Sequence, residues 1–192
     1  MRDDLGTAGG EVHAQARAVL AFWFDELSNE QRFAKDDAID AAIDQRFGGL
    51  RDRVLATRAE GWRDTPETLV AAIVLLDQFS RNLYRGKAAA FDADPLAREL
   101  TGFALDQGWD ADMPDSWRQF VYMPLMHAED PLLQANSVAL FEALGDADIL
   151  DFARDHARVI DAFGRFPGRN AALGRETTPA ELDYLSRPGA GW

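Results

Sequence analysis

The chain of 192 residues contains no cysteine. This absence excludes disulfide bonds, a thiolate nucleophile and any zinc site built on cysteine. Positive charge is also scarce: 20 lysines and arginines stand against 33 aspartates and glutamates, for a formal net charge of −13. Nucleic acids and anionic membrane surfaces attract exposed positive charge, so we expect neither as a partner.

Long apolar stretches are missing as well. The longest purely apolar run, LVAAIVLL at 69–76, is too short to cross a bilayer and fits a buried helix. The opening residues, MRDDLGTAGGEVHAQ, show no apolar segment of the kind found in signal peptides. Together with the lack of cysteine, these features predict a cytoplasmic protein.

Several motifs that carry known chemistry do not occur in this sequence. They include the paired ligands of helical di-metal sites, the zinc-protease motif, the phosphate-binding loop and the serine-hydrolase elbow. We therefore expect no metal and no cofactor.

The sequence does contain helical patterns and helix-start signals. Apolar residues recur at steps of three and four along one face at Ile39, Ile43, Phe47, Leu50 and Val54. A capping residue precedes a proline at Thr65, Asp94, Asp130 and Thr178, as at many helix starts. The predicted helices lie near 11–27, 36–59, 66–85, 95–107, 114–127, 131–144, 147–164 and 179–186. Short connections between them predict an all-α array of about eight helices in antiparallel pairs, in one domain over 1–192. Residues 1–10 are expected to be flexible, and 165–178 to form a loop.

The segment LDQFSRNLYRG, at 76–86, is the first candidate for a functional site. Asp77, Arg81 and Arg85 are spaced by four and share a helix face, and Gln78 and Asn82 flank them. One interpretation is a solvated face that ends in a basic turn, which the helix dipole favours. The other is a polar cluster that faces a groove and binds an anion.

The segment QFVYMPLMHAEDP, at 119–131, is the second candidate. Pro124 lacks an N–H, so it should kink the helix or end it early. His127 is followed by Glu129 and Asp130. Neighbouring carboxylates can raise the pKa of a histidine and make it an acid, a base or a switch. The alternative for Asp130 is a plain N-cap before Pro131.

The third candidate is a stretch of local positive charge. Between 154 and 175 the chain has five arginines and two acids, a local charge of +3 in an acidic protein. Arg165, Arg169 and Arg175 belong to it and can bind phosphate or carboxylate. They can equally pin the loop to the protein's own acids. His156 falls on an apolar stripe, which favours a hydrogen-bonded core residue over a ligand.

These segments resemble the DUF924 family of uncharacterised bacterial proteins. The motifs LDQFSRNLYRG, YMPLMHAEDP and FGRFPGRNAALGRETTPAE, with VLAFWF near the start, occur in the family's order. The resemblance implies a tetratricopeptide-like, right-handed helical array and brings no established activity. The polar positions that match the family are Asp77, Gln78, Arg81, Asn82, Arg85, His127, Glu129, Asp130, His156, Arg165, Arg169, Asn170 and Arg175. Gly168 departs from the family pattern, which has histidine there.

Three functions follow as hypotheses. In the first, the matching residues line a pocket for a small phosphate or carboxylate, with His127 or His156 as acid or base and Glu129 as a further catalytic candidate. Glu129, Asp130 or Asp77 would orient the histidine. No nucleophile is evident, so whether the protein is an enzyme stays open. In the second, the array is an adaptor that binds a peptide or protein. In the third, the motif residues only crosslink helices. The sequence leaves the oligomeric state open.

Overall fold

A computed structural model describes residues 4–191 of the chain, and its side chains from residue 9 onward. All regular structure in this range is helical and no strand occurs in it, which confirms the all-α prediction. In chain order the α-helical segments are α1 (Asp4–Leu20), α2 (Asn29–Phe33), α3 (Asp37–Ala56), α4 (Pro66–Ile73), α5 (Ser80–Leu83), α6 (Asp94–Asp106), α7 (Asp115–Met126), α8 (Pro131–Leu144), α9 (Ala147–Phe163) and α10 (Pro179–Leu185).

The helix starts follow the capping signals in most places. Thr65, Asp130 and Thr178 each accept hydrogen bonds from backbone amides of the helix that follows. Asp94 was expected to cap the start of α6 in the same way, but it does not. Helix α6 starts at Asp94 itself, with Ala93 in the cap position and no side-chain cap. Its carboxylate instead accepts hydrogen bonds from arginines, which are stronger partners for a charged group than neutral amides.

Two helices contain π-helical turns that the sequence pattern did not predict. Helix α1 continues as a π-helical turn over Ala21–Glu26, and α4 passes through another at Val74–Phe79 into α5. The first helix begins at Asp4 rather than near residue 11. Of the stretch 1–10 that we expected to be flexible, residues 1–3 lie outside the described range.

Two further elements differ from the expected boundaries. The short helix α2 was not predicted, and a capping box between Ser28 and Gln31 starts it. Pro124 was expected to kink or end its helix, yet α7 continues two residues beyond it to Met126. Pro124 therefore lies in the last turn of α7, and its ring is buried.

The run from α4 to α5 forms the centre of the core. Residues 68–80 are all buried, so the apolar stretch of the sequence lies inside the fold as expected. Helix α1 packs on α4, and α8 packs on both α7 and α9. Trp23 meets Phe79 and Phe120 edge-on, with ring centroids 5.5 and 5.6 Å apart. Within the described range, no helix has the length and apolar character needed to cross a membrane.

Candidate functional site

The π-helical turn at Val74–Phe79 places an acid inside the core. Asp77 lies in this turn and is 1% exposed. A π-helical turn holds an extra residue, and such turns are frequent at functional sites. The side-chain amide of Gln78 donates to one oxygen of the Asp77 carboxylate. The other oxygen is held from two sides, by a histidine and an arginine.

The histidine is His127 and the arginine is Arg81. His127 Nδ1 lies 2.8 Å from Asp77 Oδ1, and Arg81 Nη1 lies 2.9 Å from the same oxygen. Burial opposes ionisation of Asp77, but the charge of Arg81 and the hydrogen bonds from His127 and Gln78 outweigh it and hold the pKa of this carboxyl below its ordinary value. Asp77 is therefore a carboxylate at neutral pH.

Asp94 joins Arg81 to the motif loop, which we define as residues 165–178. The Arg81 guanidinium binds both oxygens of Asp94, at 3.0 and 3.2 Å. Arg169 reaches Asp94 at 3.5 Å and donates to the backbone carbonyl of His127 at 2.9 Å. We call Asp77, Arg81, Asp94, His127 and Arg169 the central cluster.

Aromatic rings enclose the Arg169 side chain. Its guanidinium lies 4.7 Å from the ring centre of Phe91 and 4.4 Å from that of Phe166. Burial, together with the like charge of Arg81, lowers the pKa of Arg169 to about 10. Arg169 thus stays protonated at neutral pH, and aromatic faces stabilise a buried guanidinium.

The pKa of His127 shifts in the direction opposite to the one expected from the sequence. Its neighbouring carboxylates were expected to raise its pKa, but burial and the positive charge of Arg81 lower the pKa below its ordinary value. Neither Glu129 nor Asp130 contacts the ring in the described structure; Asp77 does. At neutral pH the ring is neutral, donates from Nδ1 to Asp77 and can accept a proton at Nε2.

His156 is a core histidine. Its Nδ1 donates to the Phe152 carbonyl at 2.8 Å, and its ring packs against His127 and Phe166. Burial, together with the proximity of His127, lowers the pKa of His156 to about 3. The ring is therefore neutral at neutral pH, which suits the hydrogen-bonded core role favoured from the sequence.

The remaining arginines of the motif loop hold acids of the protein. Arg165 binds both oxygens of Glu181 at 2.6 and 2.9 Å, and Arg175 binds both oxygens of Glu129 at 2.7 and 3.0 Å. The hydrogen bond from Arg165, with backbone donation from Thr178, lowers the pKa of Glu181 to about 2. These bidentate pairs fasten the loop to α10 and to the segment before α8.

Asn170 and Gly168 occupy opposite sides of the same turn. Asn170 is buried and donates to Glu181 at 3.3 Å and to Thr177 at 3.4 Å. Gly168 is exposed, between buried neighbours. The position at which the family pattern has histidine therefore lies on the outside of the loop.

Asn82 and Arg85 lie apart from the central cluster. Both bind Asp40 of α3, Asn82 at 2.7 Å and Arg85 at 3.0 Å. The structure therefore divides the first motif: Asp77, Gln78 and Arg81 meet His127, whereas the two later residues join α5 to α3.

A cavity of about 350 Å³ lies beside the central cluster, at the start of α6. We call it the α6 cavity; its charged lining residues are Asp94, Arg98, Glu129, Asp130 and Arg169. A second depression, of about 550 Å³, is lined by Arg165 and Arg175 at the start of α10. Both of its arginines already hold carboxylates, so the α6 cavity is the better candidate for a ligand site.

Arg98 is the lining residue that sequence reasoning missed. It is partly buried, and the structure of residues 4–191 gives it no hydrogen bond and no ion pair. The signal that points to it is the spacing from Asp94 to Arg98, which places both on one face of α6. No group of three or more potential metal ligands occurs in the described part of the chain.

The fold and the site define a helical protein with a charge-balanced cluster of arginines and carboxylates beside a small polar cavity. Residues 19–189 match the family described as "Bacterial protein of unknown function (DUF924)", and the chain belongs to this family. It is similar to a solved protein of unknown function from Agrobacterium tumefaciens: the two are 36% identical with a TM-score of 0.87, and the match covers 91% of this chain and 98% of the other. No curated protein matches the chain.

Proposed function

We propose that this protein binds a small metabolite through an anionic group, a carboxylate or a phosphate, in the α6 cavity. One observation carries the proposal: Arg98 lines the cavity and has no carboxylate partner among the described residues. A guanidinium is suited to such ligands because its planar fork donates two parallel hydrogen bonds.

The surroundings of Arg98 support an anion. Arg169 forms part of the same wall, and residues at the starts of α6 and α8 also line it, so the partial positive charge of two helix starts lies near the site. A volume of about 350 Å³ lies at the small end of the range for ligand sites. This favours a small metabolite over the peptide of an adaptor, which would need a long open groove.

The proposal moves the ligand away from most of the arginines that the sequence singled out. Arg81, Arg165 and Arg175 hold Asp77, Glu181 and Glu129 through short contacts. We assign these three arginines a structural role, as in the third hypothesis from the sequence.

The test is a melting-temperature comparison with inorganic phosphate, succinate and citrate. We expect at least one of them to stabilise the native protein in a concentration-dependent way, and Arg98→Gln to abolish that shift. The matched control is Arg53→Gln, which removes an exposed arginine on α3. A shift that survives in Arg98→Gln, or no shift with any probe, would contradict the proposal.

A second candidate function is acid–base catalysis on the bound ligand. The hydrogen bond of 2.8 Å between Asp77 and His127 orients a neutral imidazole, and the next residue in the chain, Ala128, lines the cavity. If His127 is a catalytic acid or base, the native protein should convert a stabilising ligand, as followed by proton NMR. The variant His127→Gln should not convert the ligand, but its melting temperature should still rise when the ligand is added. A ligand that stays unchanged with excess protein argues for binding alone.

A further inference from the structure

We propose that the ligand of the α6 cavity is a zwitterion, an α-amino acid with an apolar side chain. The inference rests on the proposed function, since it uses the same cavity and the same arginine. Arg98 would bind the carboxylate of the amino acid, and Asp130 would bind its ammonium group.

Asp130 and Arg98 line one cavity and are both uncommitted to a charged partner. Over the described residues, neither forms an ion pair with any side chain, including each other. The cavity thus presents one positive and one negative charge without a charged partner in the protein, on the partly buried Arg98 and on the solvent-exposed Asp130. A ligand that carries both signs complements this pair of charges.

The carboxylate of Asp130 has one oxygen in use. Its Oδ1 accepts hydrogen bonds from the backbone N–H groups of Leu132 and Leu133, at 2.8 and 3.1 Å. This N-cap holds the side chain in place at the start of α8. The second oxygen has no hydrogen-bond donor in the part of the chain that the structure describes, so it is available to an ammonium group.

The other charged residues of the cavity are already matched. Asp94 holds Arg81 and Arg169, and Glu129 holds Arg175 and the backbone N–H of Phe166. A ligand with negative charge alone would meet Arg98 but also face the unmatched charge of Asp130. Repulsion from that carboxylate makes a plain anion bind more weakly than a zwitterion, but it does not exclude the anion from the site.

The rest of the lining is apolar and leaves room for a hydrocarbon side chain. Phe91, Pro95, Leu133 and Leu173 contribute to it. Side chains of this kind favour contact with an aliphatic or aromatic group, because burying apolar surface is favourable. Arg98, Asp130 and this apolar wall together indicate an α-amino acid with an apolar side chain as the ligand.

The experiment compares ligands that differ by one charge. Isothermal titration of the native protein uses leucine and phenylalanine, their N-acetyl derivatives, which lack the ammonium charge, and their amides, which lack the carboxylate. Inorganic phosphate and 4-methylpentanoate serve as plain anions. We expect at least one free amino acid to bind about tenfold more tightly than both of its derivatives, close to the contribution of one hydrogen bond to a charged group.

Two variants separate the charges. Asp130→Asn keeps the N-cap, since asparagine caps helices as well as aspartate does, and it should weaken amino-acid binding while strengthening 4-methylpentanoate binding. Arg98→Gln should abolish binding of both. Asp146→Asn is the matched control, because Asp146 caps α9 in the same way through Asp148 and Ile149.

The outcomes distinguish this inference from the proposed function. Phosphate or 4-methylpentanoate binding as tightly as the free amino acids, through Arg98, would overturn the zwitterion and leave an anion site. Unchanged amino-acid affinity in Asp130→Asn would also overturn it. Absence of binding by every probe, or binding unaffected by Arg98→Gln, would overturn both.

Discussion

Arg169 and Arg98 line the same cavity, but one is bound within the protein and the other is not. Arg169 is enclosed by two aromatic rings, a carboxylate and a backbone carbonyl. Arg98 has none of these contacts among the described residues. A segment rich in arginines is therefore not necessarily the one that contacts a ligand. Here the arginines of the motif loop mainly bind acids of the protein itself, whereas Arg98, which has no such partner among the described residues, lies outside the loop.

The energetics of the two arginines differ for the same reason. The two arginines and two aspartates of the central cluster balance one another, and each depends on the others to compensate its burial. Removal of one partner from a buried pair leaves an uncompensated charge, which costs far more than loss of an exposed charge. Stability measurements on variants of four residues, Asp77, Arg169, His156 and Arg98, test this contrast between buried and exposed charges.

The variant Asp77→Ala should have the largest effect. It removes a carboxylate that is 1% exposed and leaves Arg81 and His127 without their partner. We expect the free energy of unfolding in urea to fall by about 3–5 kcal/mol. The control is Asp151→Ala, which breaks an exposed pair with Arg154 and should cost less than about 1 kcal/mol. Equal losses in the two variants would remove the distinction between buried and exposed pairs.

Arg169→Ala comes next. It removes hydrogen bonds to Asp94 and to the His127 carbonyl, together with both aromatic contacts. A loss of about 2–4 kcal/mol is expected from these contacts. Arg169→Lys keeps the charge but not the planar fork, so its stability should lie between alanine and wild type. A lysine variant as stable as wild type would show that charge alone matters.

The pH dependence of stability tests the burial of His156. Its pKa is about 3 in the folded protein, against an ordinary value of 6.5. Between these pH values the unfolded chain binds a proton that the folded chain does not, so stability is full above pH 6.5 and falls as the pH is lowered. His156→Gln should reduce the slope between pH 6 and pH 5 by about 1 kcal/mol per unit. Urea unfolding at each pH measures it; His13→Gln is the control, and an unchanged slope would contradict a buried neutral ring.

Arg98→Gln should have the smallest effect on stability. Because the described structure gives Arg98 no partner, we expect a change within about 0.5 kcal/mol, as for most surface substitutions. Thermal and urea unfolding beside Arg53→Gln provide the measurement. A loss comparable with that of Arg169→Ala would mean that Arg98 also holds the fold together, and the contrast between the two arginines would disappear.

Local signals predicted most of the fold. The helix starts at Pro66, Pro131 and Pro179 follow from a capping residue before proline, which acts within a few residues. No periodic pattern in the sequence marks the π-helical turns at Ala21–Glu26 and Val74–Phe79. Helix α2 is only five residues long and too short for a periodic apolar face. The tetratricopeptide-like stacking and the cytoplasmic location stay predictions.

The candidate site was predictable only where its contacts are local. The spacing of Asp77 and Arg81 indicated their ion pair. The partner of His127 lies 50 positions earlier, and nearby Glu129 binds Arg175 instead, 46 positions later. The sequence named Asp77 beside Glu129 and Asp130 as possible partners of the histidine and could not decide among them, and the carboxylates next to His127 suggested the wrong direction for its pKa. Contacts at such separations are set by helix packing, which one sequence does not display.

The π-helical turn at Val74–Phe79 has a consequence for the register of everything that follows it in the helix. One residue rotates an α-helix by about 100°. Because this turn already holds one extra residue, deleting one residue inside it would leave an ordinary α-helical turn and keep Arg81 within reach of Asp94. The same deletion inside α6, between Asp94 and Arg98, has no such turn to absorb it and would rotate Arg98 away from the α6 cavity. The two arginines therefore lie on helices that differ in their tolerance of a change in length.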